Sequence, residues 1–179
     1  LIYGFLLLGT FFGSDQYLGL YVRSHGIDVS KLGLITFIAV CVEVPFIFHS
    51  KKLIKRYGAI KLLVLMNLVA IMRMALLGFS STFFMFALAG VLRGIVVGIF
   101  IPIFIEIICE ITPKAVVGSA ISIYSAISSG IANFVFTLLG GLIADYFGYN
   151  LLYFGFGVLM FLPLILVIKL GKINLKERL

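Results

Sequence analysis

Between residues 83 and 105 the chain reads FFMFALAGVLRGIVVGIFIPIFI, with Arg93 as the only charged side chain. A helix rises 1.5 Å per residue, so about 20 such residues cross the hydrocarbon core of a bilayer. Kept in water, the run would have to be covered on all sides, and the rest of the chain cannot do that. Its 179 residues are 63% hydrophobic and 12% charged, with a mean hydropathy of +1.25. A soluble domain carries about twice that charged fraction, roughly 25%. The composition fits a chain dissolved in lipid. The alternating segments of about ten residues that mark an outer-membrane barrel are absent. The expected fold class is all-α, a polytopic membrane helical bundle.

Six spans are expected, at about 1–22, 32–50, 59–77, 83–108, 115–146 and 150–170, followed by a tail at 171–179. The net charge is +7. Because the bases gather at span ends, this charge reads as membrane orientation and not as nucleic-acid binding. Lys51, Lys52, Lys55, Arg56, Lys61, Lys114, Lys169, Lys172, Lys176 and Arg178 fall on one side, and Arg23 and Lys31 on the other. The basic side faces the cytoplasm under the positive-inside rule, which places both ends of this segment there, in a bacterial inner or plasma membrane. The chain starts at Leu1 without a basic n-region or a cleavage site, so it reads as a fragment rather than a secreted precursor. Cys41 and Cys109 have neither disulfide nor metal spacing, and no cofactor is expected.

The sequence also repeats itself. KLIKRYGAIKLL from Lys52 and GLIADYFGYNLL from Gly141 share Leu-Ile, an aromatic, a glycine and a Leu-Leu pair. The first joins spans two and three, the second spans five and six, on opposite faces of the membrane. Two three-helix units inserted upside down relative to each other are a transporter pattern.

Four charges, Asp15, Glu43, Arg73 and Arg93, lie a turn or more inside the spans. One of them costs roughly 2.5–3.5 kcal/mol at mid-bilayer on insertion scales, so each needs a partner or a water-filled cavity. Counted from the ends opposite the basic loops, Glu43 and Arg93 lie about 16 and 15 Å deep, Asp15 about 10 Å and Arg73 about 6 Å. Depth pairs Glu43 with Arg93 and Asp15 with Arg73. Arg73, near a helix end, can alternatively snorkel toward water. Glu106 and Asp145 sit at span ends and read as solvated. Gly90, Gly94 and Gly98 share one helix face and read as a close-packing surface. Ser122, Ser125, Ser129 and Asn133 form a polar stripe facing a cavity or a neighbouring helix. Pro45 and Pro102 each remove a backbone donor and can kink their helices.

KKLIKRYG resembles the loop motif of the major facilitator superfamily, and GGLIADYFGYNLLYF resembles its penultimate-to-last helix junction. CVEVPFIFHSKKLIKRYG, with AIMRMALL, is similar to the C-terminal half of the branch related to lactose permease, which includes sugar, nucleoside and phenylpropionate-type proton symporters. The resemblance implies half of a twelve-helix transporter, with an N-terminal six-helix half outside this sequence. It implies a small solute and protons as partners, besides the lipid bilayer. Asp15 and Gln16 match an aspartate-glutamine pair on the first helix of that half. Glu43 matches a sugar-contacting glutamate, and Arg73 an arginine linked to proton movement. Arg93 stands where that branch has a lysine. A histidine and a glutamate on its fourth helix have no counterpart here, since Val96 and Ile99 occupy the region. A transport-inactive structural or sensory protein is the alternative. An enzyme or a channel finds no motif in the sequence.

Overall fold

The computed structural model describes residues 1–28 and 30–176, and among these every regular element is helical. The α-helices are α1 (Ile2–Asp15), α2 (Leu18–Ser24), α3 (Ser30–Tyr57), α4 (Ala59–Gly78), α5 (Phe83–Ile111), α6 (Val117–Ser125), α7 (Ala132–Leu159) and α8 (Phe161–Lys176). A π-helical turn, Ala126–Ile131, joins α6 to α7. Four stretches are long and apolar enough to cross a membrane: α3, α4, α5 and the 58-residue Lys114–Gly171. The last is a hairpin. Its helical run reverses at Gly148 (φ 84°, ψ 169°), which brings the Phe156 ring back against Gly140.

Chain ends and turns sort to two ends of the bundle. At one end, Tyr21 Oη donates to the carbonyls of Leu77 (2.9 Å) and Ser80 (3.1 Å), and Asn150 Nδ2 donates to Gly78 O (2.9 Å). At the other, Gly171 packs on Ile60 beside the Gly58 turn. Gly58 (φ 80°, ψ 149°) and Gly148 adopt the same backbone conformation at matching positions of the repeated motif. Positive φ of this kind is open to glycine at no steric cost, which explains its place in both copies. Packing repeats as well. The two most extensive interfaces are α3 on α5 and α1 on α7, the equivalent pairings of two inverted three-segment units.

Several boundaries differ from those read in the sequence. The expected first span breaks at Gln16 and Tyr17, so α2 is a separate short helix. Ser14 Oγ donates to Phe11 O (2.7 Å), and side-chain bonding back to the preceding turn bends helices. The second span does not stop at residue 50. The helix continues through KKLIKRY because Leu53 and Ile54 still pack on the core while the lysines stay exposed. The fourth continues to Ile111.

The sixth expected span breaks at Met160, where Pro163 has no N–H to donate to the preceding turn. Buried Asn67 spans this break. With its amide oriented to satisfy its neighbours, it donates to Met160 O (3.0 Å) and accepts from Leu164 N (3.3 Å). Asn67→Leu removes both side-chain bonds and leaves Met160 O and Leu164 N with only their long 3.4 Å bond to each other. Unfolding of the purified full-length protein is expected to show a loss of about 1–3 kcal/mol.

Candidate functional site

The glycine face of α5 sets the geometry of the site. A Cβ on Gly90 would lie 2.9 Å from Ile35 O and one on Gly98 2.6 Å from Glu43 O, while one on Gly94 would overlap Ala39 O. All three contacts are with the α3 backbone. The two helices therefore touch main chain to main chain along two turns, which only a residue without a side chain allows. The close-packing reading of these glycines holds, and the packing brings Glu43 of α3 opposite Arg93 of α5. Elsewhere in the bundle a Cβ on Gly13 of α1 would lie 2.8 Å from Phe136 Cβ of α7, a close approach that fixes the last turn of α1 and its Asp15.

The four charges meet in one chain. Arg93 Nη1 lies 3.7 Å from Glu43 Oε2, and Arg93 Nε donates to Asp15 Oδ2 at 2.9 Å. Asp15 Oδ1 in turn accepts from Arg73 Nη2. Both pairs expected from depth are present. Depth did not indicate that Arg93 also joins Asp15, making a single network of two acids and two bases. Such a set is formally neutral, which lowers the cost of holding it among apolar side chains.

Arg73 does not snorkel. Its side chain is 1% exposed, its Nε donates to Ala89 O (3.2 Å), and its guanidinium lies 4.7 Å over the Phe11 ring. The break after α1 puts Asp15 within reach, and the pairing holds the arginine inside. Arg93, Glu43 and Asp15 are 25%, 20% and 16% exposed. Asp15 and Arg93 line a cavity of about 180 Å³ between the α1–α2 segment, α3 and α5, together with Thr36, Ile35, Ala39 and Gly90.

Two expected site residues, Gln16 from the resemblance and Asn133 from the polar stripe, stand apart. Gln16 is exposed at the helix break and forms no side-chain hydrogen bond with the described residues. Asn133 is half-buried on α7, accepts from Thr137 Oγ1 (3.2 Å) and is not part of the charge network. The serine stripe is split. The π turn changes the helical spacing, and Ser125 and Ser129, with Tyr124, line a second, more apolar cavity of about 280 Å³. Ser122 instead donates to its own helix at Gly118 O (3.0 Å). Phe12, Phe100 and Phe104 form the facing wall of this cavity. Thr36 and these aromatics were not singled out from sequence, because nothing local separates them from core. Cys41 and Cys109 are free and exposed, and no metal-holding cluster occurs among the described residues.

A helical membrane bundle with a paired-charge cluster at the centre of its tightest interface defines a class: polytopic membrane proteins built to hold ionisable groups in lipid. The Major Facilitator Superfamily profile matches residues 1–177, and the chain belongs to that superfamily. It is 29% identical over 146 residues to the uncharacterized transporter YwbF of Bacillus subtilis (strain 168), covering 82% of this chain and 37% of that one. It is 26% identical over 172 residues to the maltose permease of Geobacillus stearothermophilus, covering 96% and 44%. The chain thus spans less than half the length of the curated relatives it matches.

Proposed function

We propose that the chain is the C-terminal six-helix half of a secondary active transporter that moves a small solute by alternating access, coupled to protons. The solute class is a sugar, a nucleoside or an aromatic acid. The other six helices belong to the part of the protein outside this sequence. The membrane is the bacterial plasma membrane, with both ends of this half in the cytoplasm.

The observation that carries the reading is the network Glu43–Arg93–Asp15–Arg73 at the edge of a cavity inside an apolar bundle. Intramembrane charges are expensive and mark solute or ion pathways. A static clamp between helices needs one ion pair. Here one guanidinium is shared between two carboxylates, which leaves it a choice of partners when solute arrives. Family membership and the names of the two relatives, a transporter and a permease, point the same way and away from catalysis.

The test is uptake into vesicles that carry the full-length protein, driven by an imposed proton gradient and run over a solute panel. Wild type is expected to concentrate one solute class above its external level. Glu43→Gln is expected to allow exchange at most, with no accumulation. Accumulation by Glu43→Gln equal to wild type would remove the coupling role of the network.

A further inference from the structure

The network's geometry separates its two carboxylates. We infer that Glu43, and not Asp15, is the carboxyl that takes up and gives off the proton, and that Arg93 is the arm that moves between them. This rests on the proton-coupled reading above and assigns its moving parts.

Asp15 is held at both oxygens, Oδ1 by Arg73 and Oδ2 by Arg93. Arg73 has no route out. It is 1% exposed, tied to Ala89 O and laid over the Phe11 ring. A neutral Asp15 would strand that guanidinium in an apolar surround, the arrangement proteins avoid most strongly. Arg73 Nη1 is buried with no acceptor among the described residues. When Arg93 withdraws, Asp15 keeps its charge partner and can turn its freed oxygen toward this second donor.

Glu43 is placed differently. Among the described residues the one cation facing it is Arg93, at 3.7 Å, beyond hydrogen-bond length. From the first segment and α4, Asp15 and Arg73 reach it only through Arg93. On α3 itself, His49 and Lys51 lie more than a turn further along. The Glu43 main chain is fixed against Gly98, while its side chain remains 20% exposed. So one carboxylate is clamped, and the other depends on a single partly exposed arginine.

The step balances simply. With both acids ionised, the two carboxylates and two guanidiniums sum to zero. A proton from water on one face converts the Glu43 carboxylate to the acid and releases Arg93 from it. The network is then one charge positive, and Arg93 is free to take a polar or anionic group of the solute. As Arg93 returns, the Glu43 O–H gives its proton to water on the other face.

The experiment is an infrared titration of the full-length protein in lipid, following the carboxylic-acid carbonyl bands in wild type, Glu43→Gln, Asp15→Asn and Arg93→Lys. Wild type is expected to show a titrating band that Glu43→Gln deletes and Asp15→Asn keeps. Should Asp15→Asn fail to fold, Arg93→Lys retains both acids and is expected to shift the titration of the band that Glu43→Gln deletes. If all wild-type bands persist in Glu43→Gln, or the lost band is Asp15's, the assignment is overturned. If the band follows Glu43 while wild-type solute uptake carries no protons, Glu43 remains the exchanging carboxyl and only the coupled-transport reading falls.

Discussion

Asp15→Asn is expected to cost the full-length protein about 3–5 kcal/mol of stability, the range for removing one partner of a buried ion pair. The variant keeps the shape of the side chain and removes its charge. Two guanidiniums then lose their shared counter-charge and one of its two acceptor oxygens, and Arg73, at 1% exposure, cannot recover them from water. Unfolding of the purified protein in detergent measures the loss. The second substitution Arg73→Met is expected to return part of it, because the stranded charge is removed with its partner and the two effects are not additive. Glu43→Gln provides the contrast. Its only charged contact among the described residues is long and partly exposed, so its effect on stability is expected to stay below about 1 kcal/mol while its effect on transport is large. Equal destabilisation by Asp15→Asn and Glu43→Gln would show that the two acids are held alike.

Gly94→Val is expected to abolish accumulation without replacing a charged residue. Its side chain would enter space held by Ala39 O, with Glu43 N 3.0 Å from the new Cβ. Neither is the end of a flexible side chain, so α3 and α5 must move apart. Overpacking of this kind costs about 1–3 kcal/mol, so the protein is expected to remain folded. Arg93 and Glu43 sit on the two faces being separated, and their 3.7 Å contact would open. Gly118→Val is the control, since nothing lies within 4 Å of a Cβ there. Uptake by wild type, Gly94→Val and Gly118→Val, normalised to protein in the vesicles, gives the comparison. Wild-type accumulation by Gly94→Val would show that the helix spacing is not what holds the pair.

The sequence made some of this site legible and hid other parts for physical reasons. Depth along a helix follows from counting residues, so Glu43 with Arg93 and Asp15 with Arg73 could be paired before any helix was placed. Counting gives position along the axis only. It does not say which helices adjoin, so the bond from Arg93 to Asp15, which turns two pairs into one network, was not visible. The full burial of Arg73 was hidden for a related reason. A long side chain near a helix end can reach water, but α1 ends with the Asp15 carboxylate against Arg73, at a break that no strong sequence signal marks. The glycines of α5 were recognisable by spacing. Gly9 and Gly13, which pack α1 on α7, follow the same small-residue logic and could have been found by it. The π turn within the serine stripe has no such signature, and it re-aims half of that stripe.

The most direct test of the central claim is the movement of protons when solute is added. Lightly buffered, de-energised vesicles carrying the full-length protein are mixed with the accumulated solute, and external pH is followed. Wild type is expected to alkalinise the medium as solute enters, and Glu43→Gln is expected to leave it unchanged. Solute entry by wild type with no alkalinisation, or alkalinisation by Glu43→Gln matching wild type, would contradict the account.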